Sequence, residues 1–373
     1  MQIDRLDTPC ALVDEARMTR NIARMQQRMA SLDVTLRPHV KTAKCVEIAS
    51  RQRAAGAVGI TVSTLREAEQ FFAAGFDDIL YAVGIVPAKL ARAAALRRQG
   101  CRLGVIVDSL AAAGAVADAG DGLEVLIEID TDGHRSGVLP DSGLLLQIAR
   151  RLHDGGAALR GVMTHAGGSY ACRSEQELIA FAEQERSRCV RAAERLRAAG
   201  LPCPVVSVGS TPTALSARRL DGVTEVRAGV YVFQDLVMLN VGVTRPDELA
   251  LSVLASVIGH QADKGWLLVD AGWMAMSRDR GTQAQAVDHG YGAVCDAQGR
   301  WLDEWVMSAA NQEHGIVSRR DGQPTVDLEA RYPLGTRLRI LPNHACATAA
   351  QYDHYAVLGE GGEVATWQRF GGW

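Results

Sequence analysis

The sequence predicts an α/β protein: a (β/α)8 TIM-like barrel over residues 10–235, then a β-rich domain over residues 236–373. Three observations carry the prediction. Between residues 36 and 235, eight short apolar runs alternate with amphipathic helical stretches, which is how a barrel is written in sequence. Gly56, Gly75, Gly100 and Gly200 close four of those stretches, where helix C-termini recruit a residue that tolerates left-handed backbone. Beyond residue 236 the texture changes to short strand-like runs separated by turns such as Asp263-Lys264-Gly265 and Gly359-Glu360-Gly361-Gly362. An open doubly wound sheet is the alternative arrangement of the first half. A length of 373 residues fits two domains.

In order, the barrel strands are expected at 36–41, 59–63, 78–83, 103–108, 123–130, 159–165, 205–210 and 225–233. Helices are expected at 46–55, 65–74, 88–99, 144–153 and, long and highly charged, 175–199. The second domain is expected to hold strands at 251–260, 266–271, 290–295, 305–308, 337–341 and 356–358. Residues 1–9 are expected to pack with it, and Thr8–Val13 can add a strand.

Composition narrows the function. With 47% hydrophobic and 22% charged residues the chain reads as globular with ample core, and a net charge of -3 with pI near 6.3 argues against binding nucleic acid or anionic membranes. No uncharged apolar run reaches membrane-spanning length, and the opening Met-Gln-Ile-Asp-Arg-Leu-Asp does not read as a signal peptide. The eight cysteines are scattered without a Cys-x-x-Cys pair, so reduced thiols in a cytoplasm are the expectation.

Only four lysines stand against 36 arginines, and two of the four, Lys41 and Lys44, share one short segment. Arginine replaces lysine at most solvated positions, but its guanidinium stays protonated and cannot form a Schiff base. The lysines that remain are enriched for positions that need the amine. Lys41 closes the first strand, where barrel enzymes place their chemistry, and is the expected catalytic residue. Lys44 is expected to be a solvated charge near the first helix.

Other polar residues fall at strand ends in the same way: Asp108 after the fourth, Arg135 after the fifth and His165 after the sixth. His39 precedes Lys41 by two on the same strand face. The seventh strand runs into Gly209-Ser210-Thr211-Pro212 and the eighth into Arg227-Ala228-Gly229-Val230-Tyr231. Barrels hold phosphate with backbone N–H groups and small hydroxyls in those two loops. An amine at the first strand and a phosphate cup at the seventh together describe pyridoxal 5'-phosphate.

The second domain contributes Pro342-Asn343-His344-Ala345-Cys346. In an extended segment alternate side chains share a face, so His344 and Cys346 are expected to chelate one divalent ion, with imidazole and thiolate favouring zinc. Cys45 reads as a helix-start thiol. Asn311 to Gly315 reads as a tight turn or a site-lining segment, and Trp273, Met274 and Met276 read as packing residues.

These motifs, taken together, resemble the metal-dependent branch of the fold-type III pyridoxal-phosphate enzymes. That branch holds the D-threonine aldolases and the eukaryotic-type D-serine dehydratases and is more distantly related to alanine racemase, so the resemblance implies an alanine-racemase-like barrel. The resemblance spans nearly the whole chain, from Asp7-Thr8-Pro9 through Arg37–Thr42, Gly133–Gly137, Thr164–Gly167 and Val205–Thr213 to Leu338–Thr348. It implies that Lys41 carries the cofactor, that Arg135 and His165 meet its ring, and that Tyr170, Gly209, Ser210, Thr211 and Tyr231 lie with the cofactor and its phosphate. It implies that His344 and Cys346 hold zinc, manganese or another divalent ion. It also implies a homodimer.

Cys346 stands where the aldolases carry aspartate, which favours the dehydratase arm. The expected reaction is β-elimination from a D-β-hydroxy amino acid, with Lys41 as the base at Cα and the metal activating the hydroxyl. D-threo-3-hydroxyaspartate would give oxaloacetate and ammonia, and D-serine would give pyruvate. The alternatives are retro-aldol cleavage to glycine and an aldehyde, and a non-catalytic pyridoxal-phosphate-binding protein.

Overall fold

The computed structural model describes residues 3–373 and divides them into two units. One unit runs up to Ile22 and resumes over Val230–Gly371; the other comprises Ala23–Gly229 with Gly372–Trp373. A short 3-10 turn (Ile3–Arg5) precedes strand β1 (Cys10–Asp14) and helix α1 (Glu15–Ser31), and the division falls inside that helix. Residues 10–14 therefore belong with the β-rich unit rather than at the start of the barrel. The sequence boundary at 235 becomes a boundary at 230.

The central unit alternates β2 (Thr35–Leu36), α2 (Val46–Ala54), β3 (Ile60–Val62), α3 (Leu65–Ala73), β4 (Asp78–Gly84), α4 (Pro87–Arg98), β5 (Arg102–Val107) and α5 (Leu110–Ala119). It continues with β6 (Glu124–Glu128), α6 (Gly143–Asp154), β7 (Ala158–Met163), α7 (Glu175–Ala198), β8 (Val205–Val208), α8 (Thr211–Ser216) and β9 (Glu225–Val226). All eight strands are parallel, in the order β2-β9-β8-β7-β6-β5-β4-β3. The ring closes between β2 and β3 through a parallel bridge, His39 to Thr61. There Val40 N–H donates to Thr61 O at 2.9 Å and Thr61 N–H to Pro38 O at 2.8 Å. The alternation is thus a closed (β/α)8 barrel and not an open sheet.

The first and last strands are shorter than their apolar runs. Pro38 has no N–H to give to a ladder, so β2 ends early and Lys41 lies in the turn beyond it. After Val226 the chain approaches too closely to continue as a strand: a Cβ on Gly229 would stand 2.9 Å from the His39 carbonyl oxygen. Leu80, Ile106, Leu126 and Met163 fill a layer of the barrel core. At the end where strands begin, Arg37 pairs with Asp78 at 2.7 Å and with Glu225 at 2.8 Å, and Arg102 reaches Asp78 at 3.4 Å. These pairs close the face of a barrel that serves stability, leaving the opposite face for chemistry.

The second unit holds β10 (Leu251–Gln261), β11 (Trp266–Val269), β12 (Gly292–Asp296), β13 (Trp301–Ala310), β14 (Gly315–Arg319), β15 (Arg337–Pro342), β16 (His354–Leu358) and β17 (Val364–Gln368). Short helices α9 (Leu236–Val241), α10 (Trp273–Met276), α11 (Leu328–Arg331) and α12 (Ala345–Ala349) connect them. Strands β10, β15, β12, β13, β14 and β11 form an antiparallel ring, closed because β10 pairs with both β15 and β11. A register shift between Val257 and Gly259 bends β10 so that it can serve both neighbours. The start of β10 also pairs with β1, which is parallel to β16, and β17 completes that edge. Trp305 anchors the core, fully buried and edge-to-face with Tyr332 at 5.3 Å. Strands β14 and β17 are absent from the sequence reading. No helix among the described residues is long and apolar enough to cross a membrane, and all eight cysteines are free thiols.

Candidate active-site residues in the two units

In the barrel, the expected residues lie past the C-terminal ends of the strands. Lys41 is half-buried, and among the described residues its ammonium makes no hydrogen bond or ion pair. Lys44 behaves differently. Its ammonium is 3.1 Å from Glu67, with side chains only 15% and 2% exposed, and its backbone is left-handed at φ 46°. It is therefore no solvated charge. Glu67 also accepts the Ser63 N–H, so Lys44 completes the shell of a buried carboxylate.

His165 ends the extended segment after β7 and places Nδ1 3.1 Å from Gly209 O, joining that segment to the turn after β8. Burial first, then the nearby charges of Arg135 and Lys41, push its pKa down to about 3, so the ring is neutral. His39 is held well below the usual histidine range by burial, with Lys41, Arg227 and His165 adding to the effect. These mutual effects bring Lys41, Arg135, His39 and His165 into one electrostatic neighbourhood. Arg135 is the exposed member, 3.5 Å from buried Glu128 on β6. Its loop is anchored by the Ser136 hydroxyl, which donates to Glu128 at 3.0 Å, and by the Gly137 N–H, which donates to Asp108 at 3.3 Å.

Gly209 adopts φ 134°, and a Cβ there would meet the Arg227 carbonyl oxygen at 2.2 Å. Only glycine fits. Ser210 caps α8 in a capping box: its Oγ accepts the Thr213 N–H at 3.3 Å, while its own N–H donates to Thr213 Oγ1 at 3.1 Å. Ser210 Oγ also lies 2.9 Å from Ser169 Oγ, the residue before half-buried Tyr170. Thr211 follows, 1% exposed. Behind this turn, buried Arg227 donates to Thr164 O and to Ser207 Oγ. Neither Ser169 nor Glu128 is marked by any motif as a site residue, and Arg227 stands out only as part of a strand end.

In the β-rich unit, Tyr231 is buried at 1% exposure. His344 and Cys346 do not share an extended strand. β15 ends at Pro342, His344 caps α12, and Cys346 lies in its first turn, so a helix entry rather than strand alternation brings the two side chains together. His344 Nδ1 is 2.7 Å from Asp279 Oδ2, a partner far away in sequence. Burial works to lower the His344 pKa, but the Asp279 carboxylate and Cys346 outweigh it and hold the imidazole up to about 11. The same pairing holds the Asp279 carboxyl below its usual range, against its own burial. Asn343 Nδ2 donates to Asp279 O at 3.2 Å, and buried Asp235 accepts the Ala345 N–H at 2.9 Å. Among the described residues, no three His, Cys, Asp or Glu side chains cluster as a ready-made metal site.

Comparison with known proteins decides the family. Residues 13–236 match the alanine racemase N-terminal domain and residues 250–358 the putative serine dehydratase domain. Over 373 residues the chain is 66% identical to D-threo-3-hydroxyaspartate dehydratase of a Delftia species, covering 99% of this chain and 98% of the relative. The chain belongs to this dehydratase family. It is an enzyme of the lyase class, built on the fold-type III barrel. D-serine dehydratase of Dictyostelium discoideum is 30% identical, covering 97% of this chain and 96% of that one. D-threonine aldolase of an Arthrobacter species is 31% identical, covering 98% and 92%. Two solved structures of D-threo-3-hydroxyaspartate dehydratase superpose with a TM-score of 0.99 at 64% identity over the whole of this chain and 100% and 97% of theirs. One is a Cys-to-Ala mutant in the metal-free form, and the other is a His-to-Ala mutant.

Proposed function

We propose that the chain is a pyridoxal-phosphate- and divalent-metal-dependent dehydratase of D-β-hydroxy amino acids. D-threo-3-hydroxyaspartate is the first candidate substrate and D-serine the second. The observation that carries the reading is the half-buried amine of Lys41, unpaired among the described residues at the strand-end face of the barrel, while Lys44 is tied to Glu67. The relative that is 66% identical bears the matching name.

The donor set fits the cofactor. Lys41 offers a nucleophilic amine, the Gly209 turn a cradle that a Cβ would fill, and His165 a neutral imidazole plane. Lys41 would hold the cofactor, Arg135 and His165 would meet its ring, and Tyr170, Gly209, Ser210, Thr211 and Tyr231 would surround its phosphate end. Bound there, pyridoxal phosphate supplies an electron sink that acidifies the substrate Cα–H. Lys41 Nζ is the base that takes that proton. His165, which takes up a proton only near pH 3, is a weak base and is poorly suited to take that proton itself.

His344 and Cys346 fit a borderline-soft divalent ion, and Asp279 orients the imidazole as a carboxylate commonly does behind a metal-bound histidine. Two protein donors leave further coordination positions to water and substrate. Such an ion supplies Lewis acidity at a β-hydroxyl. The metal-free Cys-to-Ala relative supports this assignment, and the His and Cys substituted in the two relatives stand two positions apart, as His344 and Cys346 do. We further infer a cytoplasmic homodimer, checked by light scattering of the purified protein.

The balanced outcome is hydroxyaspartate to oxaloacetate plus ammonia. The test is product analysis on a panel of D-β-hydroxy amino acids, with and without EDTA, in the parent and in Lys41→Ala. Ammonia and keto acid that vanish with chelator or without Lys41 support the reading. Glycine and an aldehyde would instead place the chain with the aldolases, and turnover indifferent to EDTA would remove the metal from the reaction.

A further inference from the structure

The helical stretch at 175–198 is highly charged, yet one of its carboxylates points inward. Glu185 is 2% exposed and lies among the buried positions of α7, between Ala182 and Cys189. A carboxylate on an apolar helix face is retained only where donors satisfy it. Its Oε1 accepts the Gly209 N–H at 2.9 Å and the Ala166 N–H at 3.2 Å, and the Thr213 hydroxyl bonds to the same side chain. Arg227 supplies a nearby positive charge.

Both backbone donors adjoin residues of the proposed cofactor site. Ala166 follows His165, and Gly209 precedes Ser210. The His165 ring returns to Gly209 O, so Glu185, Ala166, His165 and Gly209 form one closed loop of covalent and hydrogen bonds. Thr213, also on Glu185, is the residue that caps α8 together with Ser210. One buried side chain thus grips the imidazole segment and the hydroxyl turn at once.

We propose that Glu185 is a positioning residue: it fixes the distance between the His165 ring and the Gly209–Thr213 turn, and with it the span offered to a ligand with an aromatic ring at one end and a phosphate at the other. This rests on the pyridoxal-phosphate reading above. It makes Glu185 a determinant of cofactor affinity without contact to the cofactor. A carboxylate shortened by one methylene cannot reach both N–H groups, whereas an amide of equal length still accepts through its oxygen.

The experiment is titration of cofactor-stripped protein with pyridoxal phosphate, read by absorbance, in the parent, Lys41→Ala, Glu185→Asp, Glu185→Gln and Glu185→Ala. Loss of these buried hydrogen bonds predicts a Kd about 10- to 100-fold higher for Glu185→Asp and Glu185→Ala, and at most about 5-fold higher for Glu185→Gln. Zinc affinity is read in the same proteins and is expected to stay within about 2-fold, because His344 and Cys346 belong to the other unit. If Glu185→Ala does not fold, Glu185→Asp decides. A Glu185→Asp protein that binds pyridoxal phosphate like the parent overturns the proposal alone, as does one that weakens cofactor and zinc equally. A parent that takes up no pyridoxal phosphate, or takes it up unchanged in Lys41→Ala, overturns the cofactor reading and this inference with it.

Discussion

Asp279 Oδ2 stands 2.7 Å from Nδ1 of His344, across 65 residues of chain, and so fixes which imidazole nitrogen is left to face an ion. Removing that carboxylate frees the ring to rotate and change tautomer. Asp279→Ala is expected to weaken zinc or manganese binding by about 10- to 100-fold, measured by chelator competition. Affinity equal to the parent would show that the pair serves the fold alone.

Lys41 and Lys44 are three residues apart and should fail in opposite ways. Lys41→Ala is expected to reduce ammonia release by about 10³-fold or more while leaving the urea midpoint unchanged. Lys44→Ala strands the buried Glu67 carboxylate and is expected to destabilise by about 1–3 kcal/mol, with turnover retained in the folded protein. Paired urea titration and ammonia assay of both variants checks this; a stable Lys44→Ala protein contradicts it.

Gly209→Ala forces a methyl group against the Arg227 carbonyl at a backbone angle of φ 134°. The expected cost is about 2–4 kcal/mol in urea unfolding, together with weaker cofactor uptake. An unfolding midpoint within error of the parent would mean that the turn relaxes freely.

His165 carries a pH signature. Unfolded, it takes up a proton near 6.5; folded, it resists until about 3, chiefly because it is buried. Its contribution to stability is complete above pH 6.5 and is lost as pH falls toward 3. Each such histidine adds a slope of about 1.4 kcal/mol per pH unit inside that window. His165→Asn is expected to remove one such increment between pH 6 and 5, seen in urea midpoints at the two pH values. An unchanged slope would place the effect elsewhere, His39 being the obvious candidate.

The barrel was legible because each of its strands is a short apolar run bounded by turn residues, and because Lys41, Arg135 and His165 are unusual residues for strand ends. The turn at Gly209 to Thr211, between the seventh barrel strand and a short helix, was legible from its glycine, small hydroxyls and proline. What escaped depends on pairing across the chain. Glu185 sits in a helix whose many charges conceal the one that turns inward, and Asp279 lies in a loop with no periodicity. Glu67 had to be seen beside Lys44 before that lysine could be read. Strand alternation was the reason for pairing His344 with Cys346, whereas the chain turns into a helix at His344 and sets the two side chains at a helix entry. Strand β17 escaped in Val364–Gln368, where the apolar alternation is broken.

The register of β1 has a consequence for biosynthesis. Leu12 lies beside Ala356 in a parallel pair and opposite Ser252 in an antiparallel one, so this strand, once translated, waits for partners encoded some 240 and 340 residues later. The barrel, by contrast, has all its strands once residue 226 has been translated. A nascent chain carries a finished barrel and an orphan strand, and an elongation pause or a nonsense mutation before codon 354 would leave that strand without β16 to dock on.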